Sequence, residues 1–512
     1  MNQTSLQDNR KWWVLAGATL LYLATTADGP NFNASLPTIQ EYFNASAGQI
    51  QFLTTVAQLC VAAFVLAAGP LGDLYGRKRI FLLGGMGLIT SLVFQALSPS
   101  MGILIAMRGL DGIFSAITTP LAIVMITMEF HGKERSMALG IFTAAVGLGE
   151  AFLPLLAGRM SDTVGWRSVF LISITSAALA YLIIRANASE SKDPNAQKLD
   201  KGGIFFSAVM MISFVGSFLL AGKKGFSDSK VLMLMGLAVV FLLLFIWWEK
   251  RTPNPALQLS LFKKPAFLST FLAGFCIFFV FMPINPIMQI YFQNILAYSA
   301  FTASMALIPF SLGVTLSGPF AGKLTNSLGA RGSILTGISS MLVGALLLST
   351  LGLFPPYWVL GLGLGLLAIG YGLANPPRVD ALMSSASDDV AGVASSANSV
   401  GAESGSAVGM ALSTTLLMAF AGRSFFKLGA EAGLSQDQIQ KAVEVLRAAL
   451  NDAMNTYPGI SQSTLDQLFE GAKTAYSMGI AQTMLLLAAV LLVSGLIIWF
   501  GMRTYQPRDN AK

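Results

Sequence analysis

Residues 69–79 read GPLGDLYGRKR and lie between two long hydrophobic runs. Gly72 and Gly76 permit a tight turn and a close approach of two helices. Asp73 can pair with a cation or with a helix N-terminus, and Arg77 begins a basic run that anchors the chain at a membrane surface. The stretch therefore predicts a short turn between two membrane spans. The turn either has a function of its own or only fixes topology through its charges.

The composition of the whole chain is typical of a membrane protein. Of its 512 residues, 54% are hydrophobic and 11% are charged, whereas soluble domains carry about 25% charged residues. The mean hydropathy is +0.66, and hydrophobic runs of roughly 20 residues recur, which is the length that crosses the bilayer as a helix. The net charge of +7 comes from basic residues in short loops. Nucleic acid is therefore not expected as a partner.

Fourteen runs are predicted as membrane spans, in an order of six, two and six. Polar linkers follow the sixth and the eighth run. We expect an N-terminal six-helix bundle in residues 1–186, linkers with two extra helices in 187–264, and a C-terminal six-helix bundle in 265–512. The predicted spans lie near 12–36, 49–68, 80–98, 101–126, 136–159, 165–185, 202–222, 229–248, 266–291, 300–322, 332–353, 357–378, 391–421 and 478–501.

The basic residues predict the orientation of the chain. With both termini in the cytoplasm, most Lys and Arg residues fall on the cytoplasmic side, as is typical of membrane proteins. The segment 422–477 then becomes an extracytoplasmic loop. It contains a capping box at Ser435 and Gln438, and a second helix start at Ser463. We expect helices there, acting as a connector or as a lid.

Residues 69–79 resemble the signature of the major facilitator superfamily, a loop of the form GxLaDrxGrkxxl. A degenerate copy, GPFAGKLTNSLGAR at 318–331, follows a later span and lacks the acidic position. The resemblance implies an all-α polytopic membrane protein with two six-helix bundles related by an axis along the membrane normal. It also implies a gating motif that comprises Gly72, Asp73, Gly76 and Arg77.

Three further segments are similar to the fourteen-span drug:proton antiporter family. Residues 28–39, DGPNFNASLPTI, look like its first-span signature, and residues 108–112, RGLDG, are similar to its RxxQG motif with Asp111 in place of Gln. Residues 392–412 resemble its Gly- and Ser-rich segment. Residues 147–158, GLGEAFLPLLAG, depart from its antiporter motif GxxxGPxxGG, because the Gly-Pro pair is absent and Glu150 is present.

The resemblance implies a secondary-active exporter of the bacterial inner membrane, driven by the proton gradient without a cofactor. Its partners would be a small amphipathic, cationic substrate, protons and the lipid bilayer, and the chain would act as a monomer. A lipid or anionic-metabolite exporter and a proton symporter of the same fold remain open. A membrane receptor would need a sizeable soluble domain, and an enzyme would need a nucleophile–base pair or a metal cluster, neither of which the sequence displays. The sequence also contains no Walker A pattern for ATP.

Ionisable residues inside the spans indicate a site most directly, because each costs several kcal/mol in hydrocarbon unless it is paired or lines a water-filled cavity. At about 1.5 Å per residue, Asp28, Arg108 and Glu150 reach one level, about 20–24 Å along their spans. Asp111 lies one helical turn from Arg108. We predict that this layer binds the substrate and couples it to protons, with Glu403 as the comparable acid of the second half. The alternatives are a structural ion-pair network and, for Glu403, a polar residue packed at a helix contact.

Overall fold

The computed structural model describes residues 3–26, 32, 35–45, 47–192, 199–253, 257–296, 298, 300–351, 356–386, 391–431 and 462–503. Within these ranges every regular element is a helix. Fourteen of the helices are long, and they follow the predicted order of six, two and six.

The first half contains six long helices joined by short connections. A short helix, Leu36–Tyr42, lies between the first two, and a 3-10 turn, Trp166–Ser168, precedes the sixth. The long helices are α1 (Gln3–Thr26), α2 (Ala47–Tyr75), α3 (Arg77–Ala96), α4 (Met101–Glu129), α5 (Gly132–Val164) and α6 (Val169–Asn187).

Two extra helices, α7 (Lys201–Lys224) and α8 (Ser229–Glu249), connect the halves. The second half then contains α9 (Pro265–Phe281), α10 (308–328), α11 (330–348), α12 (Tyr357–Ser384), α13 (Ala391–Glu431) and α14 (Gln462–Gly501). Shorter helical segments in this half are Leu259–Lys263, Ile284–Ile290, the π-helical turn Tyr291–Ile295 and Ala300–Ala306.

Eleven helical stretches of the described chain are long and apolar enough to cross a membrane. One of them, Ile308–Leu348, contains both α10 and α11, because the backbone turns at Gly329 with φ of 73°, a value that glycine adopts without a steric penalty. These stretches account for every long helix except α1 and α5. The count of fourteen spans stays a prediction for those two helices.

Several helix boundaries of the second half differ from the sequence-based expectation. Helix α12 continues to Ser384, beyond the predicted end at 378. Helix α13 continues to Glu431, and α14 begins at Gln462, next to the predicted start at Ser463. The predicted loop 422–477 is therefore helical at both of its ends. Its centre, with the capping box, lies outside the described residues.

The two halves meet at one end of the bundle, where α2 turns into α3 and α4 into α5. We call this end, which contains the turns at Gly76, His131 and Gly329, the closed end. Here the hydrophobic core of the first half continues into Leu382 of α12 and Ala394 of α13. Helix α2 packs along α13, and α5 packs along α10. The closed end is therefore one packed unit made by both halves.

Backbone-to-backbone contact brings α5 and α10 together at the closed end. A side chain at Gly140 would collide with the backbone carbonyl of Gly318, and a side chain at Gly318 would collide with that of Gly140. Small residues that let helices approach closely are the main means of helix packing in membranes. The two glycines therefore set the distance between the halves.

Candidate functional site

The turn between α2 and α3 holds the predicted gating motif in a defined geometry. Arg77 and Asp73, 3% and 6% exposed, form an ion pair of 2.8 Å between Nη2 and Oδ1. Arg77 Nε also donates to Asp73 Oδ1 at 2.9 Å. Gly76 has φ of 102°, where glycine is favoured, and Gly72 leaves room for Leu121 of α4. The contact of Asp73 with Arg77 is one that the sequence predicts, while its gating role stays a prediction.

Glu190, which follows α6, bonds to the backbone at the start of α3. Sequence reasoning missed this residue. Its Oε1 accepts a hydrogen bond from the backbone N of Lys78, and its Oε2 accepts one from that of Arg79, both at 3.1 Å. The backbone N of Arg77 donates to the carbonyl of Ser191 at 2.8 Å. A carboxylate is stabilised at a helix N-terminus because the first N–H groups have no partner within the helix. Glu190 lies in a segment that composition alone marks as a linker, so no sequence signal identified it.

Arg108 and Asp111 form a buried ion pair on one face of α4. Their closest nitrogen and oxygen are 3.2 Å apart, and the two side chains are 6% and 4% exposed. Ser115 Oγ lies 3.5 Å from Asp111 Oδ1, and the Arg108 guanidinium lies over the ring of Phe32 at 4.5 Å, a favourable cation–π distance. The structure thus brings together two of the predicted layer residues.

The other two residues of the predicted layer are Asp28 and Glu150. Asp28 lies outside the described residues. Glu150 belongs to α5, but its side chain is outside the described part of the structure. Phe32, four positions after Asp28, contacts Arg108, so the chain beyond α1 reaches the Arg108–Asp111 pair. The joint layer of Asp28 and Glu150 stays a prediction.

The depth of Glu403 can be compared with that of Asp111 through a hydrogen bond between their helices. Ser395 Oγ of α13 donates to the carbonyl of Pro120 of α4 at 2.8 Å, which fixes the register of these helices at the closed end. At about 1.5 Å per residue, Glu403 lies about 12 Å above that bond and Asp111 about 13.5 Å above it. Counted from this bond along the two helices, the two acids, from opposite halves, are expected at nearly one level.

The face of α13 that carries Glu403 is separate from its packing face against α9. Gly405 and Gly409 pack on the backbone of Phe275 and Phe279 of α9. Glu403 is two positions before Gly405, about 200° around the helix, and it is partly buried. Glu403 is therefore not part of the Gly-rich contact with α9.

Charged and polar side chains join the halves at the closed end. Arg135 of α5 lies 3.5 Å from Asp380 of α12 and donates to Ser384 Oγ at 3.1 Å. Ser136 Oγ donates to the second oxygen of Asp380 at 3.2 Å. On the other seam, the backbone N of Gly69 donates to Ser396 Oγ at 2.9 Å. These bonds break if the halves separate at this end.

Arg378 is a third buried arginine, after Arg77 and Arg108, and sequence reasoning missed it. It is 1% exposed and donates through Nε and Nη2 to Asn375 Oδ1 at 3.2 and 2.8 Å. Its Nη1 donates to the carbonyl of Thr270 of α9 at 3.2 Å. The predicted span ended at 378, which placed Arg378 at the membrane surface. No local signal identified it, because the Asn-Pro-Pro stretch before it favours a helix end.

Comparisons with known proteins agree with this architecture. The chain is 27% identical over 508 residues to the multidrug efflux pump LfrA of Mycolicibacterium smegmatis, covering 98% of each chain. It is 28% identical over 392 residues to the multidrug resistance protein Stp of Mycobacterium tuberculosis, covering 76% of this chain and 72% of that protein. The solved structure of the human organic anion transporter MFSD10 has the same fold, with a TM-score of 0.57, 14% identity, and coverage of 95% and 99%.

The family itself follows from a match along most of the chain. The sequence profile described as Major Facilitator Superfamily matches residues 14–410. This range spans the gating motif, the buried pair on α4 and the contacts between the halves. The chain therefore belongs to the major facilitator superfamily and is a multi-pass membrane transporter, not an enzyme.

Proposed function

We propose that this transporter exports amphipathic cations, including drugs, in exchange for protons. The names of its relatives support export of drugs: two proteins similar over most or all of their length are named as a multidrug efflux pump and a multidrug resistance protein. Amphipathic substrates suit a site between membrane helices, where apolar surface and a few charged groups combine.

The observation that carries the proposal is the common depth of Asp111 and Glu403 in opposite halves. A carboxylate inside a membrane protein is costly, so it is retained where it binds an ion, a proton or a charged ligand. Two acids at one level can face a substrate between the halves from both sides. Asp28 and Glu150 are proposed as further members of this layer, with Arg108 limiting the charge on Asp111.

Exchange follows if one carboxylate binds either a proton or the cation, but not both. With the closed end sealed, the layer opens to the opposite side, where a proton displaces the cation. The neutralised layer then allows the halves to rock, and the closed end separates. Loss of the proton restores the charge that attracts the next cation. The gating motif with Asp73 and Arg77 contributes by stabilising one of these two states.

The proposed setting is a bacterial inner membrane with both termini and the closed end on the cytoplasmic side. This orientation places the basic run from Arg77 to Arg79 in the cytoplasm, as the distribution of positive charges in membrane proteins favours. We propose that the chain acts as a monomer and needs no cofactor besides the proton gradient.

Transport by purified protein in liposomes tests the proposal. A pH gradient should drive uptake or release of tetraphenylphosphonium, a permanent cation, and collapse of the gradient should stop it. A neutral amphiphile of similar size should be transported more slowly, and an amphipathic anion should not be transported. The proposal would be contradicted if the anion were transported in preference to the cation, or if transport of the cation did not depend on the pH gradient.

A further inference from the structure

The second half buries a positive charge, that of Arg378, which is separate from the buried ion pair on α4. Arg378 is almost completely buried inside a membrane helix, where a charged group is costly. Its hydrogen-bond acceptors in the described part of the chain are neutral oxygens, those of Asn375 and Thr270. It does not reach the layer of Asp111 and Glu403, because its contacts are with α9 and with its own helix. A role of Arg378 in transport would therefore act through the helices that it joins.

Helix α12 lacks two of its backbone hydrogen bonds immediately before Arg378. Pro376 and Pro377 lie inside it, and each lacks the N–H that would donate to the carbonyl four residues earlier. One of these carbonyls, that of Leu373, accepts a hydrogen bond from Ser333 Oγ of α11 at 3.3 Å. One carbonyl of α12 is thus bonded here by a side chain of α11 instead of by the backbone of α12 itself.

Arg378 supplies further hydrogen bonds to this part of α12. Its planar guanidinium donates in two directions at once, to Asn375 on the preceding turn and to the Thr270 carbonyl of α9, a geometry that a lysine cannot reproduce. Gly274 of α9 leaves the space that the guanidinium occupies. The bonds bridge the two prolines and fix the last part of α12 against α9.

That last part carries the contact between the halves. Asp380 lies two residues after Arg378, about 200° around the helix, so Arg378 faces α9 while Asp380 faces α5. Arg135 of α5 meets Asp380 at 3.5 Å. We propose that Arg378 is a positioning residue for closure: it holds α12 beyond the prolines so that Asp380 meets Arg135 at the closed end. The proposal rests on the transporter having two alternating states, and not on its substrate or on protons.

Spin labels across the closed end measure this effect directly. Arg79 of α3 and Asn326 of α10 are exposed and belong to different halves. Both can be replaced by labelled cysteines after Cys60→Ser and Cys276→Ser. Electron–electron distance measurements then give the ratio of closed to separated populations.

Arg378→Lys keeps the charge and loses the two-directional bonding, and we expect it to lower that ratio about three- to tenfold. Arg159→Lys, at an exposed position away from the closed end, is the matched control and should leave the ratio unchanged.

A double-mutant cycle separates positioning from a merely structural role. If Arg378 acts through Asp380 and Arg135, Arg378→Lys should have a much smaller effect on the population ratio once Arg135→Gln has removed the ion pair, with only the bond of Ser136 to Asp380 left to lose. Asn375→Ala keeps Arg378 and removes its Asn375 acceptor, together with the hydrogen bond that Asn375 Nδ2 donates to Tyr371 at 3.4 Å. It provides a milder variant for the same cycle and should behave in the same way. An unchanged ratio in the single variants, or effects that add fully to that of Arg135→Gln, would overturn the proposal. Thermal unfolding, measured alongside, reports any general loss of stability separately.

Discussion

Arg135 and Asp380 meet across the two halves of the transporter, with Arg135 Nη1 3.5 Å from Asp380 Oδ1. Their side chains are 16% and 19% exposed, so the pair lies at the edge of the packed interface. Ser136 and Ser384 complete the group through bonds to Asp380 and Arg135. Because α5 and α12 belong to different halves, the pair exists only when the closed end is sealed.

The first prediction concerns this pair. Asp380→Asn should shift the population of the closed end towards the separated state by about fivefold, since a partly exposed ion pair contributes about 1 kcal/mol. The measurement is the distance distribution between spin labels on the two halves. The exchange of the two charges, Arg135→Asp with Asp380→Arg, should restore part of the closed population. If the exchanged protein resembled the single variant, the attraction between these two residues would not be the cause.

The second prediction concerns the backbone contact of Gly140 with Gly318. Gly140→Ala should prevent full closure and lower transport at least tenfold, because a methyl group there collides with the carbonyl of Gly318. Gly102→Ala is the matched control, since a methyl group at Gly102 has nothing within 4 Å. The control should transport normally and be unchanged or slightly more stable, as alanine is favoured over glycine in helices. Normal transport by Gly140→Ala would show that the halves do not need this contact.

Local and long-range contacts differ in how far the sequence predicts them. The pairs Asp73 with Arg77 and Arg108 with Asp111 are separated by one helical turn or one tight turn, so spacing alone predicts them. The pair Arg135 with Asp380 depends on how two bundles pack, and nothing in the local pattern of either segment reports it.

Helix boundaries explain the remaining errors of the sequence analysis. The predicted span stops at 378, and Pro376 and Pro377 favour a helix end, whereas the bonds of Ser333 and Arg378 support a helix that continues to Ser384. Tertiary contacts override the local signal here. Arg378 was missed because it was the last residue of the predicted span, at the membrane surface.

The third prediction concerns the gating motif. Asp73→Asn should lower the rate of transport while substrate affinity stays within a few-fold, because the Asp73–Arg77 pair lies at the closed end and away from the layer of carboxylates. Equilibrium binding and initial transport rates, measured on the same preparation, check it. Arg79→Gln, at an exposed position in the same turn, is the control and should keep its transport rate. A large loss of affinity in Asp73→Asn without a change in rate would contradict a gating role.

The fourth prediction concerns the acids of the proposed layer. If one ionised carboxylate must be free for the cation to bind, the affinity for a permanent cation should fall as pH falls, by up to about tenfold per pH unit for one competing proton. Glu403→Gln or Glu150→Gln should flatten this pH dependence if that residue carries the proton. Asp28→Asn should weaken the binding of cations more than the binding of neutral amphiphiles. Calorimetric titration between pH 5.5 and about 8 checks each variant.

A structural role for the same acids gives a different pattern. The variants would then express poorly and unfold at lower temperature, while the surviving protein kept the pH dependence of the parent. A pH dependence that persists in Asp28→Asn, Glu150→Gln, Asp111→Asn and Glu403→Gln alike would exclude all four as the coupling group.

Proton release on drug binding tests the central claim most directly. Tetraphenylphosphonium is added to the purified transporter in weakly buffered solution, and a pH indicator reports protons set free for each cation bound. The proposed exchange predicts release of about one proton per bound cation in the range where affinity depends on pH, and none on binding of a neutral amphiphile. Binding of the cation without release of protons, at every pH at which it binds, would contradict a proton-coupled exporter.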